Sequence, residues 1–137
     1  MVFKFNIANK GRTYKLEADN EALIRMKIGD KLSGDTLSGD LTGYELQITG
    51  TSDVAGFPGI KGQMGGQLRK ILLLKGEKGL RRTASKGIRL KKTVRGEEIS
   101  DKTIQVNLKV LKEGTKKFYE LCPPKPKADK PAAAASA

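Results

Sequence analysis

The sequence contains no histidine, no tryptophan and a single cysteine, Cys122. Without histidine it lacks the commonest general base, the serine–histidine triad and histidine metal sites. One cysteine permits neither an intrachain disulfide nor a cysteine-based metal site, and fits a reduced intracellular thiol. Only 5% of residues are aromatic, so the core is expected to be small and aliphatic. No apolar run approaches the ~18 residues of a membrane span. The opening MVFKFNIANKGR lacks the apolar stretch of a secretory signal. The expectation is a cytoplasmic protein with no membrane partner, small-molecule substrate, cofactor or metal.

What the chain has in abundance is positive charge, and the charge is concentrated. It carries 27 Lys and Arg against 15 Asp and Glu, a net charge of +12. Between Gly65 and Gly96 lie eleven cations: Arg69, Lys70, Lys75, Lys78, Arg81, Arg82, Lys86, Arg89, Lys91, Lys92 and Arg95. Glu77 is the only acid there, so this segment holds +10 of the +12. Cations so poor in interspersed carboxylates answer a polyanion. Arginine forks bind phosphate oxygens bidentately and lysines add point charge. Few aromatic residues interleave them, which favours backbone and shape contacts with folded RNA over base stacking. Lys61, just upstream, joins these eleven as a candidate RNA-binding residue.

At 137 residues the chain has room for one domain and a tail. Phe3, Phe5 and Ile7 alternate with polar residues, Asn9-Lys10-Gly11 is turn chemistry, and Tyr14 and Leu16 alternate in turn. These runs predict a β-hairpin. Residues 19–28 are compatible with one short helix carrying Leu23 and Met26. Three Gly-Asp pairs follow at five-residue spacing, at Gly29, Gly34 and Gly39. Their spacing does not fit a calcium loop and reads as turn and cap chemistry. Tyr44, Leu46 and Ile48 predict a strand. Residues 50–66 are so rich in glycine that a long loop is expected. Ile71–Leu74 reads as a strand buried on both faces, and residues 75–96 as an exposed basic part cut by glycines into turns. Ile104, Val106, Leu108 and Val110 give the clearest strand, and residues 118–121 a short returning edge strand. The whole predicts a mainly β fold: a small antiparallel β-barrel over residues 1–121, at most one or two short helices, and a disordered Pro/Ala/Lys tail over 122–137.

Other chemistry finds little support. The glycines around Gly62 are not followed by the Gly-Lys-Ser/Thr of a phosphate loop. Arg82 ahead of Ser85 is a weak kinase motif, inside a segment that a phosphate would disable. Glu97, Glu98 and Asp101 read as a solvated turn rather than a paired-carboxylate site.

The run Ile48-Thr49-Gly50-Thr51-Ser52-Asp53 through Gly56-Phe57-Pro58 resembles the signature of the sixth e-type protein of the small ribosomal subunit in archaea and eukaryotes. The order that follows is similar too: Lys61-Gly62, Arg69, Leu72-Leu73-Leu74, Lys75-Gly76, Arg81-Arg82-Thr83 and Lys92-Thr93-Val94-Arg95-Gly96. The resemblance covers roughly residues 1–120. It implies a compact β-barrel bound to small-subunit ribosomal RNA beside neighbouring ribosomal proteins, a structural component and not an enzyme. Thr51 and Gly59 stand where the eukaryotic signature commonly has glycine and methionine. The long C-terminal helix with its phosphorylated serines, typical of eukaryotic members, has no counterpart, which makes this a short, archaeal-like member. The alternative is a free RNA-binding regulator or a ribosome assembly factor.

Overall fold

The computed structural model describes residues 2–80 and 85–121. The expected tail, Cys122, Arg81 and Arg82 lie outside them.

Strand β1 (Val2–Asn9) buries Phe3, Phe5 and Ile7 and turns Lys4 and Asn6 to the other face. It folds back on β2 (Arg12–Asp19) through Lys10 and Gly11, whose φ angles of 44° and 81° are both positive. Positive φ at both central residues matches the right-handed twist of the flanking strands, and glycine adopts it without strain. The expected hairpin is therefore present.

Five strands form one sheet in the order β2-β1-β7-β4-β3, with β3 at Lys31–Ser33, β4 at Glu45–Asp53 and β7 at Thr103–Lys112. Phe3, Phe5, Ile7, Leu46, Ile48, Val106 and Leu108 line its inner face, where Leu23, Leu41, Tyr44, Ile99 and Phe118 join them in the core. A 3₁₀ turn at Glu21–Leu23 stands in place of the short helix expected over 19–28. The Gly-Asp repeats form two more, Gly34–Thr36 and Gly39–Leu41; in the second, the Ser38 hydroxyl accepts from the Asp40 amide. That is the turn and cap role read from their spacing.

The mainly β character holds, but the expected antiparallel barrel is corrected in two respects. Among the described residues no sheet closes: β2 and the three-residue β3 end the order, each with one strand neighbour. The pairing is also mixed, since β1 and β7 run parallel, Phe5 opposite Val106 and Ile7 opposite Leu108. Parallel neighbours require a long crossover, and here residues 10–102 provide it. The segment 24–30 fills part of the open side with single bonds instead of a ladder: Arg25 N–H to Ile99 O, Ile99 N–H to Met26 O, and Ile28 N–H to Glu97 O.

Residues 118–121 form a single helical turn, α1 (Phe118–Leu121), not an edge strand. Strand β7 already has β1 and β4 on its two edges, so a returning strand finds no free one. Phe118 instead packs into the core, and the Tyr44 hydroxyl donates to the Lys116 carbonyl.

The remaining strands, β5 (Leu68–Leu74) and β6 (Arg89–Arg95), form a separate antiparallel ribbon. Residues 89–95, expected as turns, are thus a strand. The expectation that Ile71–Leu74 is buried on both faces also fails. Leu73 is 2% exposed, whereas Leu72 is 51% and Leu74 44% exposed. A two-stranded ribbon has one packed face, and here that face lies against residues 58–60. The Arg95 amide donates to Pro58 O, the Ile60 amide to Arg95 O, and the backbone of Gly79 approaches Leu73, Pro58 and Ile60.

Candidate nucleic-acid interface

Strand pairing sorts the ribbon's side chains by face. Lys70 is opposite Thr93, Leu72 opposite Lys91, and Leu74 opposite Arg89. Residues directly opposite share a face, so Lys70, Arg89 and Lys91 stand with Leu68, Leu72 and Leu74 on the outer side, and the exposed Leu90, opposite Leu73, on the inner one. Arg69 and Lys92 belong to the inner face, with Ile71, Leu73 and Val94. Lys75 and Lys78 lie in the turn after β5, and Lys86 in the turn before β6; all three are exposed. Lys61 is exposed on the loop beside the ribbon, with its ammonium near Gly29. The structure thus gathers Lys61, Arg69, Lys70, Lys75, Lys78, Lys86, Arg89, Lys91 and Lys92 on or beside one ribbon. Glu77 is spent within it, accepting from the Leu74 amide at 2.7 Å. Among the described residues no carboxylate pairs with any of these nine cations.

Arg95 is different. It is 5% exposed, and its Nη2 donates to Asp53 Oδ2 at 2.6 Å. Its Nη1 donates to the Gly66 carbonyl and, at 3.4 Å, to Ser100 Oγ. Asp53 Oδ1 accepts from the Val54 amide at 2.7 Å. The guanidinium therefore joins the end of β4, the glycine-rich loop and the start of the next connection. It is a structural residue, its charge already matched by a buried carboxylate, and it leaves the set of candidate RNA contacts.

The glycine-rich loop is shaped by the same closeness. A Cβ on Gly96 would stand 1.7 Å from Gly65 O, and one on Gly59 would stand 2.0 Å from Thr51 Oγ1. The glycines there permit close approach. In β4, Thr49 is an extra residue between Ile48, opposite Leu108, and Gly50, opposite Asn107. A bulge frees backbone groups from the ladder. Here the Thr49 carbonyl accepts from Lys78 Nζ at 3.3 Å, so a ribbon lysine is tied back to the sheet.

The outer face of the sheet carries a cluster of amides and lysines that the sequence did not single out. Lys15, Asn6 and Asn107 lie abreast across β2, β1 and β7, and Ala8 and Lys109 form the next row. Asn107 Oδ1 accepts from Asn6 Nδ2 at 3.2 Å and from Gln105 Nε2 at 2.8 Å. Asn6, Ala8, Lys15, Asn107 and Lys109, with Lys10 and Thr49, border a concavity of about 700 Å³. Their signal was present as the polar members of the alternating strands, which register alone brings together. Among the described residues no group of three or more His, Cys, Asp or Glu could hold a metal ion, and no helix is long and apolar enough to cross a membrane.

The described residues form a small, mainly β fold with a separate two-stranded ribbon rich in cations that have no carboxylate partner among them. The chain belongs to the ribosomal protein S6e family, whose pattern it matches over residues 3–123. Among its relatives, "Small ribosomal subunit protein eS6" of Methanocaldococcus jannaschii is 39% identical over 120 residues, 86% of this chain and 88% of that protein. Proteins of the same name from Methanosphaera stadtmanae and Methanothermobacter thermautotrophicus are 39% and 38% identical, each across 88% of this chain. These matches agree with a short, archaeal-like member of a non-enzymatic family.

Proposed function

We propose that the chain is a structural component of the small ribosomal subunit, on ribosomes in the cytoplasm, and that it holds ribosomal RNA through the cations of the β5–β6 ribbon. The observation that carries the reading is the ribbon itself: a separate two-stranded element whose described cations, Arg95 excepted, have no carboxylate partner among the described residues. Lys61, Arg69, Lys75, Lys78, Lys86 and Lys92 neutralise phosphates, joined by Arg81 and Arg82. Lys70, Arg89 and Lys91 add to the attracting field. The amide and lysine face of the sheet extends the interface, because Lys78 links the two. Neighbouring ribosomal proteins are the remaining partners.

The test is the salt dependence of binding to small-subunit RNA. Each phosphate contact contributes about 0.7–0.9 to the slope of log K against log salt. Replacing Lys75, Lys78 and Lys86 with Gln should lower affinity and flatten that slope by about 2 to 3, with the urea midpoint unchanged. Affinity indifferent to salt would remove the electrostatic account. Sedimentation in moderate salt separates a subunit component, which stays bound, from a free regulator or assembly factor, which leaves.

A further inference from the structure

The ribbon's outer face is not purely cationic. Leu68, Leu72 and Leu74 are 44%, 51% and 44% exposed and stand at alternate positions of β5. Beside them on the same face are Lys70, Arg89 and Lys91, with no carboxylate partner among the described residues. Both strands of the ribbon are otherwise unpaired there, apart from the single bridge between Gly59 and Arg95 near its base.

A phosphate–ribose surface satisfies the cations and leaves three leucines against a polar partner. Three leucines at alternate positions on one face of a strand lose more apolar surface to water against apolar side chains than against a charged phosphate backbone. Unmatched cations bordering them call for carboxylates. We propose that this face docks a protein segment that sets apolar side chains against Leu68, Leu72 and Leu74 and carboxylates against Lys70, Arg89 and Lys91. The ribbon then divides its labour: Lys75, Lys78 and Lys86 toward its tip meet RNA, and the outer face meets a neighbouring acidic protein segment. The inference rests on the ribosomal reading above.

The experiment places a photoactivatable p-benzoylphenylalanine at Leu72, and separately at Lys86, in chains assembled into small subunits. After irradiation, the Leu72 probe is expected to yield an adduct that survives ribonuclease and is destroyed by protease, and the Lys86 probe one with RNA. Arg89→Glu with Lys91→Glu should reduce the Leu72 protein adduct at least fivefold per chain recovered with the subunits, whatever the reversal does to the amount recovered. A ribonuclease-sensitive adduct at Leu72, or no adduct, overturns the docking proposal while leaving the ribosomal reading intact. A chain that never sediments with subunits overturns the ribosomal reading and the docking proposal with it.

Discussion

Asp53 and Arg95 are forty-two residues apart in the chain and 2.6 Å apart in the fold. Removing one partner of a buried ion pair leaves the other charge without compensation, at a cost of about 3–5 kcal/mol. Asp53→Ala should therefore lower the urea midpoint sharply. Asp53→Leu combined with Arg95→Met should recover most of the loss, because apolar replacement of both charges removes the desolvation penalty as well. RNA affinity measured on the folded double variant should match wild type; a large loss would return Arg95 to the contact surface. Nothing local in the sequence separates Arg95 from its ten basic companions, since its distinction is a carboxylate brought from another motif. Thr51 and Gly59 give a second case. The Thr51 hydroxyl occupies the space that a side chain at 59 would need. Their joint departure from the glycine and methionine of the eukaryotic signature is thus one exchange of volume. Gly59→Met alone should destabilise by about 1–3 kcal/mol through overpacking. Adding Thr51→Gly should restore part of this, and a double-mutant cycle should give a favourable coupling of about 1 kcal/mol.

The strands with strict alternation were legible because one of their faces is buried. β1, β2, β4 and β7 all announce themselves by a period of two. The ribbon was only half legible. Four consecutive apolar residues look the same whether a strand is sandwiched or merely cheap to expose beside a partner, and β6 is hidden by its lysines. Strand β3, three residues long, was too short to show. The ribbon's isolation also sets its dynamics. Elements with few packed neighbours open without global unfolding. Hydrogen exchange on the free protein should find residues 68–72 and 91–93 exchanging markedly faster than β1 and β7. Equal protection in both places would mean that the ribbon and sheet form one cooperative unit. That outcome would make the Lys78 tie and the Gly79 contact energetically larger than their geometry suggests.

Among the described residues the sheet carries most of the core, and the ribbon, Arg95 excepted, carries cations without a carboxylate partner. The expected segregation of charge was legible from composition, but the open, mixed sheet was not, because strand order is decided by long-range pairing. Three groups at the end of the sheet near α1 contribute to its response to pH. Burial, then the Glu113 and Glu120 carboxylates, raise the Tyr44 hydroxyl above its ordinary 10.0. The bond to Asp40 raises Lys116 above 10.5, and Asn9 followed by Lys10 lowers Glu113 below 4.5. The first two contribute stability that is complete below their unfolded values and is lost as pH rises through their folded ones. Glu113 contributes above its unfolded value, and that share is lost as pH falls through its folded one. The urea midpoint should therefore fall on the alkaline side, and Tyr44→Phe should make that fall less steep. An alkaline limb of unchanged slope in the variant would show that Tyr44 is not among the groups responsible.

The parallel pairing of β1 with β7 also orders events in time. During synthesis β1 and β2 emerge first, yet the inner neighbour of β1 is Thr103–Lys112, near the far end of the chain. The ribbon closes over residues 68–95 and needs nothing made later. The cationic element can thus reach its hairpin form while the central strand of the sheet is still being made. Until Thr103–Lys112 has been made the chain presents an unfilled edge on β1, and β7 then seals it.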